Sequence, residues 1–199
     1  MLLPKFSRRE LNGFVWLNLS VMGLLWLGQL ANVKRGLPAL GVVMVFSVLA
    51  LLMDYGPLIF KSAENVEEVD HIRLDLNVAF SVYGLLYLLL PGAFSPQDRA
   101  GSLAVLGVVF SVGSLSLAYV HRNHYVGIRF PQTYASPIVW HKTNLLGARL
   151  GFVSGIVFFL AAGLFGADVG IIVLLVGVGF LALSTWTYAQ RLSRHNQWQ

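Results

Sequence analysis

Cysteine is absent from the 199-residue chain. That excludes disulfides, thiolate nucleophiles and Cys-ligated metals, although it leaves the redox compartment open. Charge is scarce: Asp, Glu, Lys and Arg make up 12% of the residues, against about 25% in ordinary soluble domains. Acidic side chains are the scarcer sign, nine against fourteen Lys and Arg. The chain therefore carries a net charge of +5 and a pI near 9.7. The signatures of several chemistries are also missing. There is no HExxH, no paired His–carboxylate motif and no Cys cluster, so a metal site has little support.

What the chain has in quantity is apolar sequence, 56% of it, in blocks long enough to cross a hydrocarbon core of about 20 helical residues. Six blocks stand out, at 13–33, 37–60, 74–94, 101–120, 145–166 and 168–190. They predict an all-α, polytopic membrane bundle of six spans forming one membrane domain over 1–199. The first run follows a basic head, MLLPKFSRRE, but is too long for a signal peptide and lacks a clear small-residue cleavage site, so it is expected to stay in the mature protein. The positive charge reads as a topology signal rather than a nucleic-acid surface. With the N-terminus inside, Lys5, Arg8, Arg9, Lys61, Arg73, Arg122, Arg129, Lys142, Arg149, Arg191 and Arg194 fall on the cytoplasmic side. Only Lys34, Arg35 and Arg99 fall opposite. Both termini are therefore expected in the cytoplasm.

The predicted external loops, NVKRGLP, PGAFSPQDRAG and FGAD, leave no room for an ectodomain. The two larger internal segments differ in sign. KSAENVEEVDHIRLD carries Glu64, Glu67, Glu68, Asp70 and Asp75. Its Val66, Val69 and Ile72 at helical spacing predict an amphipathic extension into span three. Residues 121–149 are basic, and the pair reads either as facing caps or as two solvated loops.

HRNHYVGIRFPQTYASPIVWHKTN, residues 121–144, is the one long polar interruption. Pro131 and Pro137 disfavour helix at Phe130 and Ser136. The Ser136-Pro137 pair suits an N-cap and first helical residue, starting a helix that runs into span five. Trp140 then sits in the first turn, where an indole suits the headgroup boundary. Trp140, Asn144, Gly147, Gly151 and Gly155 share one face, and its glycines form a ladder that permits close approach of another helix, from this chain or a partner. Upstream, GIRFPQTY reads as a turn holding Arg129 near the lipid headgroups. Its guanidinium is suited to phosphate, to a carboxylate such as Asp54 or Asp75, or to exposed carbonyls.

Asn123, Gly127-Ile128-Arg129, Pro131, Thr133, Ser136, Trp140, Lys142-Thr143 and Gly147 together resemble the signature of the SdpI family of bacterial immunity membrane proteins. That signature runs approximately Asn, Gly-Ile-Arg-Thr-Pro-Trp-Thr, Ser, Trp-x-x-Thr-His and a Gly pair. The resemblance covers about 25 residues, and the six-span layout fits the family. Phe130 replaces the usual Thr, Gln132 the usual Trp and Asn144 the usual His, with Gly147-Ala148 in place of the Gly pair. The resemblance implies a non-enzymatic protein of the bacterial cytoplasmic membrane. The founding member protects its cell from a secreted killing peptide and holds a transcriptional repressor at the membrane. Partners implied for this chain are membrane lipid together with a peptide toxin, a cytoplasmic regulator or subunits of a membrane complex. The motif residues would form the partner-binding face.

Other chemistry finds less support. His121, His124 and His141 invite a metal site with Asp70 and His71, but hydrated interfacial His is the expected reading, with no metal or cofactor. Asp54 is the best intramembrane ionisable group. It lies about 10 Å along a helix from Lys61 and fits interfacial pairing better than a relay or a small transporter. Ser111, Ser114 and Ser116 lack a paired base at membrane depth and should bond to backbone or neighbouring helices. Asp168 suits a helix N-terminus. The tail QRLSRHNQWQ reads as an interfacial anchor rather than a contact for nucleic acid. No sequence echo relates the two halves beyond hydropathy. Two functions remain in front: peptide immunity with signalling, and an accessory structural subunit of a larger membrane complex.

Overall fold

A computed structural model describes residues 8–30, 44, 47–48, 51, 66–90, 99–122 and 125–196. Among these the regular elements are all helical. They are α1 (Arg8–Leu30), α2 (Val66–Leu89), α3 (Arg99–Leu115, continuing as a 3₁₀ turn, Ser116–Ala118), α4 (Pro131–Ala135), α5 (Pro137–Phe165) and α6 (Ala167–Asn196). Four candidate spans, Leu11–Gly28, Arg99–Ala118, Pro137–Phe165 and Ala167–Arg194, are long and apolar enough to cross a membrane. The expected span at 37–60 and the residues Asn123, His124 and Asp54 lie largely or wholly outside the described residues. The chain divides into two compact units, Leu3–Asp98 and Arg99–Gln199.

In the first unit α1 packs on α2. Leu11, Asn18, Val21 and Leu25 form the buried face of α1, recurring at spacings of seven, three and four as one helix side requires. A polar cluster fixes the pairing. Asn18 Nδ2 donates to Asn77 Oδ1 at 2.8 Å and to the Asn77 carbonyl at 3.0 Å, and the Ser81 hydroxyl donates to Asn18 Oδ1 at 3.0 Å. Buried amides have no water to return to, so satisfying them across the helix pair selects this register over its neighbours. Trp26 Nε1 donates to Ser47 Oγ at 3.1 Å. As the valine spacing predicts, α2 is already helical from Val66, and Arg73 pairs with Asp70 at 3.6 Å one turn apart.

In the second unit α5 is central, half of it buried, against a third of α3 and 11% of α6. The expected glycine ladder does its work inside this chain. An ideal Cβ on Gly155 would lie 2.7 Å from the Gly107 carbonyl oxygen and 2.8 Å from the Ser111 nitrogen. A Cβ on Gly107 would meet Gly155 O and Phe159 N, each at 2.9 Å. Ser114 fills the space over Gly151. At this range polar bonds between helices become possible: Ser111 Oγ donates to the Phe152 carbonyl at 2.8 Å. Ser114 and Ser116 bond to carbonyls of their own helix, at Phe110 and Gly113. Gly166, at φ 95°, ends α5 with its N–H on the Ala162 carbonyl at 3.1 Å and turns the chain into α6. With ψ at 173°, Gly166 has a positive φ with extended ψ, a region open essentially to glycine.

Element ends differ from the hydropathy blocks for local reasons. Hydropathy alone starts span five at 145, but α5 begins at Pro137, because proline's fixed φ suits the first helical position. The block at 101–120 stops being α-helical at Leu115 and tightens into a 3₁₀ turn. The block at 74–94 is helical only to Leu89 among the described residues.

Candidate functional site

The polar stretch folds as an elbow clamped to the first two turns of α5. Val120, leaving the 3₁₀ turn, offers its carbonyl to Trp140 Nε1 at 2.8 Å. Gly127 has φ 122°, and a Cβ there would lie 2.6 Å from the Trp140 ring and 3.1 Å from Asn144 Oδ1. Both the backbone conformation and the close approach therefore require glycine. The next amide, Ile128 N–H, donates to Asn144 Oδ1 at 2.7 Å, and Asn144 Nδ2 donates back to the Trp140 carbonyl at 3.0 Å. The Ile128 side chain fills the space over Gly147.

Phe130 is extended, at φ −108° and ψ 157°, and Pro131 then opens the five-residue α4. Thr133 closes this turn: its hydroxyl accepts from Phe130 N–H at 3.0 Å and has the carbonyls of Phe130 and Ile128 within donating reach, at 2.8 and 3.1 Å. Ser136 is extended again before Pro137 starts α5. Both prolines thus break the helix where their restriction on the preceding residue predicts. The Phe130 ring lies 6.4 Å from that of Trp186 on α6, and Tyr134 meets Trp140 edge-on at 5.4 Å. Arg122 Nη1 donates to the Tyr134 carbonyl at 3.2 Å.

Three expectations need correction. Trp140 does not present its indole on the outer surface; it is 2% exposed and forms the floor of the elbow. Gly127 and Tyr134 lie against its ring, and the Val120 carbonyl takes its N–H. Ser136 occupies the N-cap position without a side-chain cap bond. The segment around Arg129 is not a plain turn, since it contains α4.

The motif residues and their polar neighbours sort into two sets. Thr133, Trp140, Thr143, Asn144 and Gly147 are buried, and Gly127 is half-buried against Trp140. Arg122, Arg129, Pro131, His141, Lys142 and Arg149 are exposed. Tyr125 is 89% exposed at the tip. The buried set holds backbone; the exposed set can meet another molecule. Among the described residues no group of three or more His, Asp or Glu side chains comes together as a metal site. Two polar atoms of the elbow, Gln132 Oε1 and Thr143 Oγ1, are buried with no hydrogen-bond partner among the described residues.

The sequence reading missed Ile128 as the residue that fills the notch at Gly147, and missed Asn144 as an amide clamp. A usable signal was present for the helix pair: Gly107, Ser111 and Ser114 form a small-residue stripe on α3 that matches Gly155 and Gly151 on α5.

Residues 119–188 match the SdpI/YfhL protein family. The match begins where the 3₁₀ turn ends and runs through the elbow, α5 and most of α6. No curated protein and no solved structure gives a match. The SdpI-matching segment is thus the elbow with the helix hairpin that carries it. With four helices long and apolar enough to span, it supports a multi-pass membrane protein.

Proposed function

We propose that this SdpI-like protein lies in the bacterial cytoplasmic membrane with six spans and both termini in the cytoplasm. There it provides immunity against a secreted antimicrobial peptide, or signals by holding a cytoplasmic partner at the membrane. The observation that carries this reading is the division of labour within the elbow. The Trp140–Asn144–Ile128 hydrogen bonds and the Thr133 turn fix the backbone, while Arg122, Arg129 and Lys142 stand outside it. A rigid frame lowers the ordering cost of presenting a fixed set of cations to an anionic partner. The role is non-enzymatic.

Expression in a peptide-sensitive bacterium should confer resistance to a cognate peptide. Arg129→Ala should remove that resistance at unchanged protein level. Unchanged sensitivity across candidate peptides would refute immunity. The absence of native Cys makes orientation simple to test: a single Tyr125→Cys variant should react with an impermeant thiol reagent only from the cytoplasmic side. The second reading, an accessory subunit of a larger complex, draws on α6, whose Ile172, Leu175, Val176 and Leu183 are exposed along the helix. Mild-detergent purification should then recover stoichiometric partners, and a lone chain would refute it.

A further inference from the structure

The elbow end of the Arg99–Gln199 unit has a charge pattern that the family signature does not explain. α5 and α6 pack along each other and are joined through Gly166, so the start of one lies beside the end of the other. Lys142 and Arg191 stand 24 and 25 residues from Gly166, level to within about 2 Å at a rise of about 1.5 Å per residue. Arg194 is about one turn further along. All three are exposed, and none makes a hydrogen bond or ion pair among the described residues. Arg122, Arg129 and Arg149 add exposed cations to the same half of the unit. The single carboxylate of residues 99–196, Asp168, sits at the opposite end, 3.9 Å from Arg99.

From the level of these cations towards Gly166 the surface turns apolar. Leu183 and Trp186, 17 and 20 residues from Gly166, are exposed, and an indole so placed suits the boundary between hydrocarbon and water. A soluble acidic peptide would neutralise the cations and leave these side chains in water. A phospholipid covers both, its phosphate among the cations and its chains along the apolar side of the hairpin.

We propose that Lys142, Arg191 and Arg194 bind the phosphates of anionic phospholipids, so that this end of the hairpin selects them over zwitterionic ones. The proposal rests on membrane insertion of the α5–α6 hairpin, which belongs to the proposed function, and is independent of immunity.

The full chain, purified in neutral detergent, is titrated with phosphatidylglycerol or phosphatidylcholine, and bound lipid is counted by native mass spectrometry. The wild type should retain phosphatidylglycerol at least tenfold better, and this preference should fall with added salt. Each cation near an anionic headgroup contributes about fivefold. Lys142→Gln should therefore lower retention about fivefold, and the triple variant with Arg191→Gln and Arg194→Gln about a hundredfold, with helicity unchanged by circular dichroism. Arg99→Gln, at the far end, should change nothing. Equal retention of the two lipids by the wild type, or a preserved preference in a folded triple variant, overturns the proposal. Tighter binding of a poly-glutamate peptide than of phosphatidylglycerol overturns it in favour of an acidic protein partner. Alkaline carbonate extraction reads the shared premise separately: release of the chain from membranes refutes insertion and both readings with it.

Discussion

Adding one methyl group at Gly155 should separate α3 from α5, while the same change at Gly179 should leave the fold intact. A Cβ on Gly155 would meet backbone, Gly107 O at 2.7 Å and Ser111 N at 2.8 Å, as well as the Ser111 hydroxyl. Ordinary contact begins near 3.4 Å, so the two helices must part by about 0.6 Å or more along much of their interface. Overpacking of this kind costs about 1–3 kcal/mol. Backbone atoms cannot swing aside as a side chain would, which places Gly155→Ala at the upper end. Parting the helices also stretches the 2.8 Å bond from Ser111 to the Phe152 carbonyl, worth about 1 kcal/mol. Against this, alanine gains up to about 1 kcal/mol in helix propensity. The balance is a loss of about 2–3 kcal/mol. Gly179 has nothing within 4 Å of its Cβ position, so Gly179→Ala keeps only the propensity term and should be neutral or stabilising. Reversible unfolding in mixed micelles measures both variants against the wild type. If they agree to within about 0.5 kcal/mol, the close approach of α3 and α5 is not what holds this unit together.

The elbow yields two further tests. Asn144→Leu leaves the half-buried Ile128 amide without its 2.7 Å acceptor and should cost about 1–3 kcal/mol, seen as faster hydrogen exchange at Ile128 and cleavage near Tyr125; Asn144→His, which keeps an acceptor, should recover most of it. Thr133→Val should destabilise by about 1–3 kcal/mol because its hydroxyl closes the α4 turn, whereas Thr143→Val, which deletes a hydroxyl with no partner among the described residues, should be neutral or stabilising by thermal unfolding.

Legibility in the sequence followed the range of the interaction. Pro131 and Pro137 act on the residue immediately before them, and the breaks at Phe130 and Ser136 appear where the sequence places them. The glycine ladder is also local in pattern, and its face is the one that packs. The burial of Trp140 was not legible because its environment depends on Val120, twenty residues upstream. An amphipathic ring is equally at home at a lipid boundary or under a folded-back loop, and only the second supplies Val120 O. The Asn18–Asn77 pairing, 59 residues apart, was invisible for the same reason. Periodicity marks a buried face but does not say which distant face meets it.

The departures from the SdpI pattern show which properties of the elbow bear its shape. Phe130, in place of Thr, finds a ring at Trp186. Asn144, in place of His, still presents an acceptor to Ile128 N–H. For Gln132, in place of Trp, nothing in the structure supplies a reason, since its buried carbonyl oxygen has no partner among the described residues. The residues that set backbone direction, Gly127, Pro131 and Pro137, stand where the bends are. The side chains that make the frame are turned inward and cannot touch a partner. Specificity for whatever binds the elbow must therefore lie in the outward set, Arg122, Arg129 and Lys142 with Tyr125 at the tip. Exchanging those four between relatives with different partners should transfer recognition, whereas exchanging the buried set should alter only stability.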